Sequence, residues 1–339
     1  MIELTPETAR DYLLARGWVS PDAQPVIEPL GWGISNVVLR VSLLDDCFVL
    51  KQSLPKLRVK DDWPFDQARI FVERDCMMLL HELLLPESVP GVRFSDDENF
   101  LLGMSCAPPG GVLWKQALLD GQIDLTTAKR AGALLADLHN RTAADSRTQT
   151  RFANQSGFIQ GRVDPYHWTA AKAHPDLAPV IEAEVQRMLQ TRLTLVHGDY
   201  SPKNIFAYPD HILLLDFEVA HYGDPAFDTA FCLNHLILKA IKFPDRNARY
   251  MEAARTFWRA YLDRLSPGLD PQIEATTIRE LGCLLLARMD GKSKIEYITD
   301  EPTRDLTRRL ARDILIGSET SLDSLLAWIG QRVNSPEPV

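Results

Sequence analysis

Two apolar runs, each flanked by a polar turn, constrain this chain most. The first is Leu195-Val196-His197-Gly198-Asp199-Tyr200-Ser201-Pro202-Lys203-Asn204-Ile205-Phe206, and the second is Ile212-Leu213-Leu214-Leu215-Asp216-Phe217-Glu218. They set three oxygen-bearing side chains at fixed spacing: Asp199, Asn204 five residues on, and Asp216 seventeen on. Asp and Asn in turns also cap backbone groups, so a single member of the set says little. Together they match a chemical need. Phosphoryl transfer from a nucleotide requires a carboxylate to position the attacking hydroxyl, and hard oxygen ligands for magnesium to neutralise phosphate charge.

The run His-Gly-Asp, four residues, Asn, then a hydrophobic strand ending in Asp resembles the aminoglycoside phosphotransferase and choline kinase superfamily. Gly223-Asp224-Pro225-Ala226-Phe227-Asp228 extends the match, which runs from about Gly31 to Asp228 and fades over the last hundred residues. The resemblance implies an α+β, two-lobed protein-kinase-like fold, with a small β-rich N-terminal lobe and a larger, mainly helical C-terminal lobe. It also implies ATP and Mg2+ as cofactors.

Sequence patterning agrees with that organisation. Thr5, Pro6 and Gly17 read as the cap, first residue and stop of an opening helix. From Val26 to Gln52 the pattern is β, with Asp45-Asp46 as a turn between two runs. Apolar spacing turns helical from about Phe65 to Leu85, and Phe100, Leu101, Leu102 and Met104 make a further strand. Pro108-Pro109-Gly110-Gly111 is the clearest punctuation. The expected division is therefore a nucleotide-binding lobe at 1–105 and a catalytic, substrate-binding lobe at 106–339, with a hinge about 104–111. Beyond it, helices are expected at Leu125–Asn140, Pro179–Leu189, Pro225–Ile241, Arg246–Leu265, Pro271–Met289 and Pro302–Ile329.

The N-terminal part supplies the nucleotide candidates. Gly31 and Gly33, with Ser35 and Asn36, lie between two β runs, where glycines let a backbone approach phosphates. Lys51 ends a strand eighteen residues after Gly33, and Glu73 falls on the next helix. In kinases such a Lys contacts the α- and β-phosphates and such a Glu holds the Lys. By the same resemblance, the backbone at Ser105 and Cys106 would bind adenine. Lys51 to Val59, Trp63-Pro64 and Arg69 look like the small lobe of 5-methylthioribose kinase. Those kinases carry Gly-Ser at the end of the catalytic loop, where this chain has Lys203-Asn204.

In the C-terminal part Asp199 is the expected catalytic base, and Asn204, Asp216 and Glu218 are the expected metal ligands. His197 and His139 read as structural, and Asp228 as a buried carboxylate facing the catalytic loop. Only about eight residues separate Asp216 from the helix start at Asp224-Pro225. That leaves no long activation segment to grip a polypeptide, so the expected partner is a small molecule with a hydroxyl. The alternatives are a 5-methylthioribose-kinase-like sugar kinase and a nucleotide-binding pseudokinase; the latter usually lacks one of Lys51, Asp199 or Asp216.

Bulk properties exclude other classes. A net charge of -9 argues against a nucleic-acid partner. No apolar run approaches the ~18 residues of a membrane span. Residues Met1 to Glu7 show neither basic region nor apolar core, so a cytoplasmic location is expected. Cys47, Cys76, Cys106, Cys232 and Cys283 show no close pair in sequence, and buried free thiols are expected. Oligomeric state is not legible.

Overall fold

The structure is a computed structural model that describes residues 3–31, 35–58 and 63–334. Gly33, expected to face a nucleotide, lies outside the described residues. The chain divides into two compact units, one holding residues up to Gly111 together with Leu213–Val219, the other holding the rest.

The first unit is a five-stranded antiparallel sheet with two helices. Its elements are α1 (Pro6–Ala15), β1 (Val26–Pro29), β2 (Asn36–Ser42), β3 (Cys47–Ser53), α2 (Arg69–Leu83), β4 (Val92–Asp96) and β5 (Leu101–Ser105), with strand order β1-β2-β3-β5-β4. Thr5 caps α1 by accepting from the Thr8 amide, and Gly17 follows the helix at φ +69°. Alternation along β2 and β3 decides the faces. Val37, Leu39, Val41, Phe48 and Leu50 are buried in one core with Leu4, Ala9 and Leu13 from around α1. Lys51 lies on β3, opposite Val38 on β2 and Leu102 on β5. It is therefore held from both sides in the middle of the sheet.

One cysteine expectation is corrected here. Cys47 and Cys106 form a disulfide with Cα atoms 5.8 Å apart. Their separation of 59 residues hides them in sequence, but β3 and β5 are sheet neighbours, and Phe48 pairs with Ser105 next door. Cys76, Cys232 and Cys283 are free and buried, as expected.

The second unit is mainly helical. It contains β6 (Val112–Leu113), α3 (Trp114–Leu119), α4 (Leu125–Thr142), α5 (Ser146–Arg151), α6 (Ser156–Phe158), a π-helix at Ile159–Trp168, α7 (Thr169–Ala173), α8 (Ala178–Gln190), β7 (Thr194–Val196) and β8 (Ile205–Ala207). The strand β9 (Ile212–Leu214) leads into the segment that belongs to the first unit. Then come β10 (His221–Gly223), α9 (Pro225–Lys242), α10 (Asn247–Arg264), α11 (Ile273–Asp290), α12 (Glu301–Ile316) and α13 (Leu322–Asn334).

Every residue of α9 from Pro225 to Ile241 is buried, which makes it the central helix. Asp224 caps it by accepting from the Ala226 amide, and Pro225 starts it. Helices α4 and α10 approach closely at Gly132, where a Cβ would sit 2.1 Å from the Phe257 carbonyl oxygen. The single helix expected at Pro302–Ile329 is two, α12 and α13, interrupted after Ile316 where Gly317 ends the first. Among the described residues, no helix is long and apolar enough to cross a membrane.

Candidate active site

In the first unit, Lys51 is the centre of a buried ionic cluster. Its Nζ lies 2.9 Å from Glu73 Oε1, 2.7 Å from Glu73 Oε2 and 2.6 Å from Asp216 Oδ1. Lys51 and Glu73 are buried, whereas the Asp216 side chain is 27% exposed. Burial alone would depress the Lys51 pKa, but Asp216, Glu73 and Glu218 outweigh it and hold the ammonium well above the usual lysine range. Burial pushes the Glu73 carboxyl upward, against the pull of Lys51. Asp216 takes φ +69°, a left-handed conformation that costs a non-glycine residue energy. The fold holds this aspartate against a local cost.

Glu218 occupies a different environment. Its Oε2 accepts from Asn36 Nδ2 at 2.7 Å and from Arg69 Nε at 3.2 Å, and Ser35 Oγ donates to its Oε1 at 3.0 Å. Arg69 is 2% exposed and fully engaged. Nη1 donates to the carbonyls of Leu54, Phe65 and Asp66, and Nη2 donates to Ser35 O and Asn36 Oδ1. Glu218 thus ties the segment after the glycines to the stretch that follows β9 and carries Asp216. Carboxylate oxygens of Glu73, Asp216 and Glu218 lie within 4.8 Å of one another. Lys51 and Arg69 already counter two of these three charges. Asp216 is the most exposed of the three.

The remaining nucleotide candidates divide. A Cβ at Gly31 would meet no atom within 4 Å, so nothing in the described surroundings demands glycine there. The Ser35 and Asn36 side chains serve Glu218. The Ser105 N–H is committed to Gly91 O at 2.9 Å and its hydroxyl accepts from the Gly91 N–H, while the Cys106 side chain is in the disulfide.

In the second unit, the loop after β7 is built around Asp199. Gly198 takes φ +75°, which a side chain would resist. Asp228, in the first turn of α9, accepts from the His197 amide at 2.7 Å and the Gly198 amide at 2.8 Å, and His139 Nε2 lies 3.4 Å from it. The Asp199 amide donates to His197 Nδ1, and Asn204 Nδ2 donates to the Asp199 carbonyl at 2.9 Å. Asp199 is 1% exposed. Arg162 Nη2 and Lys203 Nζ lie 2.8 and 2.7 Å from its Oδ2. Both oxygens are buried and neither makes a hydrogen bond, and the ion pairs reach Oδ2 alone. A carboxylate held at one oxygen, with the other unengaged, is oriented to accept a hydrogen bond from a hydroxyl.

Arg162 is the functional candidate that sequence reasoning misses. It sits on the π-helix Ile159–Trp168, which has Pro165 inside it and none of the apolar period that marks an ordinary helix. Arg69 is legible only as part of a resemblance, with no role attached.

Residues 26–266 match the model of the phosphotransferase enzyme family, APH. The chain belongs to this family. It is 22% identical over 357 residues to a methylthioribose kinase of Bacillus cereus, covering 91% of this chain and 90% of that relative. It is 28% identical over 240 residues to methylthioribose kinase 2 of Oryza sativa subsp. japonica, covering 62% of this chain and 56% of that one. Among solved structures, an amicoumacin kinase in complex with AMP-PNP, Ca2+ and Ami superposes with a TM-score of 0.59 at 14% identity, covering 96% of this chain and 100% of that one. A Plasmodium vivax ethanolamine kinase gives 0.54 at 13% identity, covering 96% and 87%. At such identities these structures establish the fold, the α+β kinase-like arrangement, and nothing finer. The protein is a phosphotransferase of the APH family.

Proposed function

We propose that this phosphotransferase moves the γ-phosphoryl group of Mg-ATP to a hydroxyl of a small molecule. The observation that carries the reading is Lys51 Nζ, held 2.9 Å from Glu73 Oε1 and 2.6 Å from Asp216 Oδ1. A protonated lysine fixed by a buried glutamate is a preorganised contact for phosphate oxygens. Asp199 positions the acceptor hydroxyl through its unengaged Oδ1. A bond forms between the acceptor oxygen and the γ-phosphorus as the bond from that phosphorus to the ADP oxygen breaks. The acceptor proton passes to Asp199.

The donor set fits a hard divalent cation. Asp216 and Asn204 would be its ligands, since each carries an oxygen of the kind magnesium takes. When bound, the cation supplies neutralisation of phosphate charge. Glu218 contributes by fixing Arg69 and the segment at Ser35-Asn36.

A second reading, a sugar kinase acting on a methylthioribose-like acceptor, is favoured by the 22% identity that runs over 91% of the chain. Nucleotide consumption over a panel of sugars, methylthioribose, amino alcohols, choline and aminoglycosides tests both readings. Turnover of one panel member that disappears in Asp199→Asn is expected. Absence of any nucleotide binding by calorimetry, with magnesium present, would overturn the proposal.

A further inference from the structure

The second unit gathers positive charge around Asp199. Arg162 and Lys203 already pair with it. Tyr166 lies behind them, with the Arg162 guanidinium carbon 6.0 Å and the Arg288 guanidinium carbon 5.7 Å from its ring centre. Burial alone would raise the Tyr166 phenol, but Arg288 and then Arg162 outweigh it and bring it below its usual value. Arg288 Nη1 donates to Tyr166 Oη at 3.0 Å and to Ser293 Oγ at 2.9 Å. Arg288 is 7% exposed and its Nε is buried with no hydrogen bond. Among the described residues it pairs with no carboxylate.

Helix α9 adds a buried lysine. Lys239 is fully buried, and its Nζ donates to the His235 carbonyl at 3.2 Å. It also lies 5.3 Å from the Tyr297 ring centre. Glu296, whose charge opposes the lowering of the Lys239 pKa, is already engaged by Lys115. Burial and then the charges of Lys239, Arg288, Lys203 and Lys115 push His235 well below its usual pKa, so that imidazole stays neutral. Asn234, beside His235, is fully buried with neither side-chain atom hydrogen-bonded. Among the described residues, Arg288 and Lys115 thus stand against one carboxylate, Glu296. An uncompensated buried charge costs several kcal/mol, so a site keeps one where a ligand supplies the opposite sign.

We propose that the acceptor carries an oxyanion, a phosphate or carboxylate group, which Arg288 receives in a basic pocket with Lys115 and Lys203 at its rim. The planar fork of Arg288 suits either group. This rests on the reading of Asp199 as the residue that addresses the acceptor hydroxyl. The pocket would disfavour polycationic acceptors such as aminoglycosides, which need an acidic one.

Two measurements on the full chain test it. The first is Mg-ATP turnover with matched acceptors: D-ribose against D-ribose 5-phosphate, and glycerol against glycerol 3-phosphate and D-glycerate, with kanamycin and choline as cations. The anionic members should be phosphorylated in preference. Arg288→Met should lower their kcat/KM at least about ten-fold, mainly through KM, and leave Mg-ATP affinity unchanged. The second is calorimetric binding of inorganic sulfate, which needs no turnover. Arg288→Met and Lys115→Met should each weaken it relative to the unsubstituted chain, and Arg288→Lys should retain part of it. Lys115 is partly exposed, so its variant keeps the test valid if Arg288→Met fails to fold. Preferred turnover of neutral or cationic acceptors, or sulfate affinity equal in all variants, overturns the inference and leaves the kinase reading standing. Failure to bind Mg-ATP, with sulfate binding still dependent on Arg288, overturns the kinase reading and keeps the anion site.

Discussion

Arg162 Nη2 lies 2.8 Å from Asp199 Oδ2, across 37 residues of chain. The aspartate of the His-Gly-Asp run is therefore locked at one oxygen by a cation that no motif contains. Lys203 locks the same oxygen from within the loop. The oxygen left over, Oδ1, is the one a hydroxyl would meet.

Asp199→Asn should retain Mg-ATP affinity and lose transfer. Loss of a general base costs about 10²–10⁴-fold in rate. Nucleotide affinity by calorimetry and turnover on the identified acceptor check the two halves separately. Near-normal turnover would make Asp199 a turn residue.

Asp216→Asn should behave differently. It removes a charge from the Lys51 cluster and, on the proposed reading, turns a carboxylate metal ligand into a neutral amide, so Mg-ATP affinity and turnover should fall together. Lys51→Met should show the same joint loss. If Asp216→Asn instead keeps full Mg-ATP affinity, the nucleotide is held elsewhere.

Glu218→Gln separates two roles. As the partner of Arg69, Glu218 shares a buried ion pair, and removal of one member of such a pair costs about 3–5 kcal/mol. The expected result is a lowered unfolding midpoint with a nearly unchanged magnesium dependence of ATP binding. A fold of unchanged stability with weakened magnesium dependence would return Glu218 to the metal ligands.

Local signals are legible in the sequence and long-range partners are not. Thr5, Pro6 and Gly17 delimit α1 because capping is a matter of a few adjacent residues. The turn at Asp45-Asp46 sits between β2 and β3 for the same reason. Helix α9 starts at Asp224-Pro225, as its cap dictates. By contrast, β4 alternates apolar and polar residues over only Val92-Arg93-Phe94-Ser95, too short a run to mark it. The disulfide depends on sheet order, which sequence spacing does not encode. Arg69 and Arg162 find their carboxylates 149 and 37 residues away. No local pattern marks either arginine. Lys51, Glu73 and Asp216 are legible because a resemblance joins them, and the structure brings all three into one cluster.

Lys239 gives a test of pH dependence with a definite sign. Burial, then Lys115 and Arg288 against the opposing pull of Glu296, lowers its pKa from 10.5 to about 7. Cys232 on the same helix and the Tyr297 ring also face it. Below about pH 7 lysine is protonated in both the folded and unfolded chain, and the folded state bears the full cost of a buried charge. Between about 7 and 10.5 the unfolded chain binds the proton and the folded chain does not, so stability rises with pH across that window. Above it the cost is gone. A tenfold change in proton affinity corresponds to about 1.4 kcal/mol, which makes the whole effect one of a few kcal/mol. Lys239→Met keeps the length of the side chain and removes the charge. Chemical denaturation of this variant at pH 6.5 and pH 9 should show higher stability than the unsubstituted chain at the lower pH. The difference between the two proteins should shrink at the higher one. A constant difference at both pH values would mean that Lys239 does not titrate in this range.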